Sequence, residues 1–247
     1  MGGREERAAK TKKGMGMAFC NFKALEGLTL KEVEDSITRY SRLSGPWLSQ
    51  FDTFFCLTRS TATPQERITD LLDIVRGSGW NMNRQGQCSY ITQSVKTGVI
   101  SKAQVQDFWR VVDDLPDLQL RDFPGAAPEI LRRIEASLDR IRRTICAWHS
   151  CAGTVCFVTK VILMFNWGQS PAFDTRVRSV LKLGNYMSTD ELMQSLVEIG
   201  SWIGKFEADN GVQLDEFSTS IMNRECGRSL HPLPLGRSFD MLLFSLA

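Results

Sequence analysis

The chain has 247 residues, 43% apolar and 23% charged, which is enough to bury a core in one or two globular domains. Its net charge of +2 is too close to zero to name a partner, so the distribution of charge carries more than the sum. Seven cysteines, an odd number spread thinly, do not look like a disulfide framework and point to a reducing, cytoplasmic compartment.

Residues 1–15 form a basic tail. MGGREERAAKTKK carries five basic and two acidic side chains and no apolar run, so it does not read as a secretory signal. A disordered, solubilising terminus is expected, with an arm that touches a polyanion as the alternative. A helical region over 16–125 follows. LTLKEVEDSITRYSRL (28–43) opens with Thr29 and has Glu32 three residues on, the spacing of a capping box. TPQERITDLLDIVRGSG (63–79) has a proline in its first turn and glycines at its end. QCSYITQSV (87–95) is the best strand candidate in a chain otherwise short of alternating patterns. KAQVQDFWRVVDDL (102–115) is helical, and DFPGAAP (122–128) breaks the helices near residue 125.

The second region, 126–247, begins with APEILRRIEASLDRIRRTI (127–145). There Ile130, Ile134, Leu138, Ile141 and Ile145 make one apolar stripe, and Arg133, Arg140 and Arg143 lie off it. GTVCFVTKVILMFN (153–166) is apolar on every side except at Thr159 and Lys160, the pattern of a buried helix. A membrane span over 145–165 is disfavoured, because a lysine near a span's centre costs about 3 kcal/mol. Lys160 must snorkel, serve a substrate site, or pair with an acid such as Asp240. DTRVRSVLKLG (174–184) comes next, with Gly184 as its expected C-cap. STDELMQSLVEIGSWIGKFEADNG (188–211) has a Ser188 cap with Glu191, and LDEFSTSIMNREC (214–226) and GRSFDMLLFSLA (236–247) complete the chain. The fold class expected is mostly α, a two-lobed helical bundle whose regions can form one unit.

SPAFDTRVRSVL (170–181) poses the functional question. Asp174 opens a helix, and as a bare pattern that is an N-cap. The same position favours negative charge and can aim the carboxylate out of the helix end, where it could stabilise a cation or position a water.

A buried helix, a short loop and then PAFDTRVRSVL resembles the helix-hairpin-helix superfamily of DNA glycosylases, whose pattern at this point is P-V-D-T-H-V-x-R. Pro171, Asp174, Thr175, Val177 and the basic Arg178 carry the resemblance. The closing GRSFDMLLFSLA is similar to the family's last core helix, so the likeness covers roughly residues 125–247. It implies a two-lobed helical DNA glycosylase that flips a modified or damaged base out of duplex DNA and hydrolyses its N-glycosidic bond, in repair or in defence against modified phage DNA. Asp174 would stabilise the sugar cation. The hairpin region, HSCAGTVC, keeps Gly153 and Thr154 as backbone contacts to DNA, with Arg176 and Arg178 as phosphate contacts. Trp47, Phe51, Trp148 and Trp167 are candidates for the base pocket, each with ordinary core packing as its competing role.

The departures bear on mechanism. Where lyase members carry a nucleophilic lysine about eighteen residues before the aspartate, this chain has Cys156, and Lys160 stands fourteen before. Hydrolysis by water is therefore expected. The Thr159-Lys160 pair nevertheless resembles the eight-oxoguanine glycosylase-like group and keeps Lys160 open as a Schiff-base nucleophile. Cys226 alone near the C-terminus implies no iron–sulfur cluster. Cys146, His149, Cys151 and Cys156 have ligand chemistry that suits zinc but an unfamiliar spacing, so no metal and no cofactor is expected. The expected partner is duplex DNA bound by a monomer, with no membrane. Two rivals stand beside this reading: a non-catalytic DNA-binding protein of the same fold, and a helical interaction or regulatory protein.

Overall fold

The computed structural model describes residues 19–44, 98–148, 155, 158–159, 162, 168–227 and 232–247. Among these the chain is helical, with no strand. The helices are α1 (Leu30–Ser44), α2 (Lys102–Asp113), α3 (Pro128–Trp148), α4 (Thr175–Leu181), α5 (Thr189–Asn210), α6 (Leu214–Cys226) and α7 (Leu235–Leu246), with 3-10 turns at Lys23–Leu25 and Leu120–Gly125. Val155, Val158, Thr159 and Ile162 are helical and buried. The segments 63–79 and 87–95 lie outside the described residues.

Local chemistry sets the helix starts. Thr29 N–H donates to the Glu32 carboxylate at 2.8 Å, and Glu32 N–H donates back to the Thr29 hydroxyl at 3.3 Å. Ser188 with Glu191 makes the same reciprocal pair at α5, and Ser101 with Gln104 makes it at α2. At the other end of α4, the left-handed C-cap is Lys182 (φ 58°), not Gly184 as expected from sequence. The Arg178 carbonyl accepts there from the N–H groups of both Lys182 and Leu183, so the turn closes two residues early.

Packing follows the apolar stripes. Ile134, Leu138, Ile141 and Ile145 of α3 are buried, with α2 and α5 against that helix. Arg133, Arg140 and Arg143 are exposed, and Arg143 pairs with Asp139 one turn away. The proline-interrupted stretch 120–125 is not a loose break. It lies flat on α5 where Gly200 has no side chain, since a Cβ there would sit 2.2 Å from the Leu120 carbonyl oxygen. Arg121 locks the contact, bonding Glu207 of α5 at 2.8 Å and Asp215 of α6 at 2.6 Å.

α7 is the central element. From Leu235 to Leu243 every residue is buried, which is the signature of a helix enclosed on all sides. α1, α4, α6 and the 120–125 turn pack around it, so a helix from the N-terminal region joins the C-terminal ones in one core. Val33, Ile37 and Tyr40 are the buried face of α1, and the Arg224–Glu34 and Arg42–Glu225 pairs, exposed arginines on half-buried glutamates, flank its seam with α6. Among the described residues no helix is long and apolar enough to cross a membrane.

Candidate active site around Asp174

The segment Ser170–Phe173 is a connection, yet it is buried throughout. Buried backbone needs partners, and here they can be named. Phe173 N–H donates to the Thr159 hydroxyl at 3.1 Å, and Ala172 N–H to the Asp240 carboxylate at 3.3 Å. Asp174 N–H donates to the Ala172 carbonyl at 2.6 Å, and Arg178 Nε to the Phe173 carbonyl at 3.2 Å. Upstream, Gly236 N–H donates to the Gly168 carbonyl, and Leu120 N–H to the Gln169 side chain. A Cβ on Gly168 would collide with the Pro234 ring, so glycine allows this approach to the start of α7. Phe173, wholly buried, anchors the segment with about 1.5–3 kcal/mol of apolar burial.

Asp174 is left half-buried at the head of α4. Its Oδ1 accepts the main-chain N–H groups of Arg176 at 2.9 Å and Val177 at 3.0 Å, so it is an N-cap, as the sequence indicated. Both bonds fall on the same oxygen. Oδ2 takes no hydrogen bond among the described residues. With only seven residues in α4, first-turn N–H groups hold this carboxylate more than any long helix dipole.

Behind the segment lies a buried polar group. Arg237 Nη1 bonds both Asp240 oxygens, at 2.7 and 2.9 Å, and Arg237 Nη2 donates to the Tyr40 hydroxyl. All three residues are buried. Burial pushes the Asp240 carboxyl above the usual carboxylate range; Arg237 opposes that, and the Asp174 charge adds to it. Burial also works against the Arg237 charge, but Asp240 and Tyr40 outweigh it and hold the guanidinium above its ordinary value. Asp240, one of the partners suggested for Lys160, is thus held by an arginine of its own helix. Arg237, one turn away on the same helix, holds Asp240 from both oxygens, and Lys160 lies outside the described residues.

No protein-family model, curated protein or solved structure matches this chain.

Of the other residues singled out from sequence, Arg176 is exposed and its guanidinium lies 4.2 Å from the centroid of the Phe244 ring. Arg178 is half-buried and braces the Phe173 carbonyl, a positional role beside any contact with DNA. Trp148 is the last residue of α3. Trp47, Phe51, Gly153, Thr154 and Trp167 lie outside the described residues, as do His149, Cys151 and Cys156. Cys146 is a free, exposed thiol, and no group of three or more potential metal ligands occurs among the described residues. Sequence reasoning passed over Phe244 and Tyr40, which meet edge to face at 5.2 Å between Arg176 and Arg237. The one signal was that both are aromatic positions on apolar helix faces, which alone reads as core.

Proposed function

We propose that the chain is a helix-hairpin-helix-like DNA glycosylase with Asp174 as its essential carboxylate. The single observation that carries this reading is the division of labour at Asp174: Oδ1 is fixed by two main-chain N–H groups while Oδ2 is left for a ligand. A carboxylate serving only as a cap needs no wholly buried connection and no ion pair behind it.

In the reaction, the target nucleotide swings out of the duplex, at a cost of a few kcal/mol in lost stacking. The bond between C1′ and the base nitrogen breaks with its electron pair leaving on the base, and positive charge develops on the sugar. Asp174 stabilises that cation and orients the water that adds to C1′, and the proton this water loses ends on the departing base. Arg176, exposed on the first turn of α4, supplies a phosphate contact that weakens with salt. An amine at position 160 would instead trap the sugar covalently, so borohydride reduction separates the two routes.

The test is incubation with duplexes carrying oxidised, alkylated and hypermodified bases, followed by alkali cleavage at abasic sites. Base release from at least one duplex is expected. Salt-sensitive DNA binding without abasic product would leave a binding protein of this fold, and no affinity at low salt would leave an interaction protein.

A further inference from the structure

α7 is enclosed by apolar neighbours, and a buried ion pair in such a place can commonly be exchanged for apolar side chains of similar volume without loss of stability. Stability alone therefore gives no account of Arg237 and Asp240. Their geometry does. Tyr40 receives Arg237 Nη2, Arg237 Nη1 holds both oxygens of Asp240, and Asp240 Oδ2 receives Ala172 N–H. Ala172 then uses its carbonyl to receive Asp174 N–H. Both polar groups of one peptide residue are committed, one to α7 and one to the carboxylate at the head of α4. Asp240 is also close enough to Asp174 to feel its charge.

We propose that Asp240, clamped by Arg237 and Tyr40, is the positioning residue that sets the orientation of the Asp174 carboxylate. This rests on the glycosylase reading for its consequence in catalysis, though not for its structural part. The decisive variant is the double exchange Arg237→Met with Asp240→Leu, which removes both charges together and leaves neither stranded. Three quantities are measured: affinity for a duplex carrying a tetrahydrofuran abasic analogue, single-turnover base release, and the side-chain carboxyl resonance of Asp174 in ¹³C-aspartate-labelled protein.

The expected result is duplex affinity within about threefold of wild type, base release at least about tenfold slower, and a displaced Asp174 resonance. Tyr40→Phe, which keeps the ring and removes the hydroxyl that receives Arg237, should fall between; it decides the matter by the same readouts if the double variant does not fold. Wild-type base release together with an unmoved Asp174 resonance overturns the proposal. If the wild-type protein releases no base from any duplex, the glycosylase reading fails separately. The Asp174 resonance then decides alone, a displacement supporting the positioning role and an unmoved signal refuting it.

Discussion

The main-chain N–H of Phe173 donates to the hydroxyl of Thr159 at 3.1 Å, so a threonine in the buried helical stretch fixes the residue directly before Asp174. The same hydroxyl donates to the Val155 carbonyl at 2.8 Å, using both of its capacities in a fully buried place. Thr159→Val keeps the shape and strands the Phe173 N–H, which should cost about 1–3 kcal/mol by urea unfolding. Thr159→Ser restores a hydroxyl and should recover most of that loss.

Gly236 marks a close approach of α7 to the connection. A Cβ there would meet the Gln169 carbonyl oxygen at 2.6 Å and the Gly168 carbonyl oxygen at 2.7 Å, both backbone atoms that cannot swing aside. Gly236→Ala should therefore destabilise by about 1–3 kcal/mol, as overpacking does. Gly211→Ala, at an αL helix end with open space around it, makes a useful contrast. Its cost comes from backbone strain alone, and thermal melts of the two variants compare that strain with the steric cost at Gly236.

The Arg121 node gives a pH dependence with a definite sign. Burial pushes the Glu207 carboxyl above its ordinary value, and the Leu214 N–H and Arg121 offset this only in part. A carboxyl raised in the folded state holds its proton more tightly there than in the unfolded chain. Its contribution to stability is full below the ordinary glutamate value of about 4.3 and is lost as pH rises through the raised one. Glu207→Gln removes that titration. The stability of wild type relative to Glu207→Gln should thus decline as urea unfolding is repeated from about pH 4 to pH 7.

Cys20 and Cys146 should differ sharply in reactivity. Cys20 is buried, and desolvation pushes its thiol up to about 12, the Ser195 contact opposing and Glu198 adding to the rise. The strap that carries it is held where the N–H groups of Phe19 and Cys20 both donate to the Glu198 carboxylate, at 2.8 and 2.6 Å. A thiol reagent at neutral pH should modify the exposed Cys146 at once and Cys20 only on unfolding. Mass-mapped labelling checks this.

The sequence is legible where the physics is local. Thr29 with Glu32 and Ser188 with Glu191 are capping boxes formed within a single turn, and α6 runs over 214–226 as its pattern suggested. The αL position falls two residues before the glycine that the sequence pattern favours, because the α4 turn closes on Lys182. Asp240 is legible as a candidate for a buried ion pair, but its partner Arg237 is not. An arginine and an aspartate three apart on a helix normally form an exposed surface pair. Only the enclosure of α7 by other helices makes them interior. Gly200 and Gly236 likewise show their purpose only when the opposing backbone is in view.

The central claim is that the Asp174 carboxylate performs chemistry beyond its cap. Asparagine at 174 keeps a cap of comparable strength, so the fold should change by no more than about 1 kcal/mol. The most direct measurement is single-turnover base release by Asp174→Asn beside wild type, on whichever modified duplex the wild-type protein acts. Release should slow by about 100-fold or more with duplex binding retained. Release at the wild-type rate from the asparagine variant would contradict the claim.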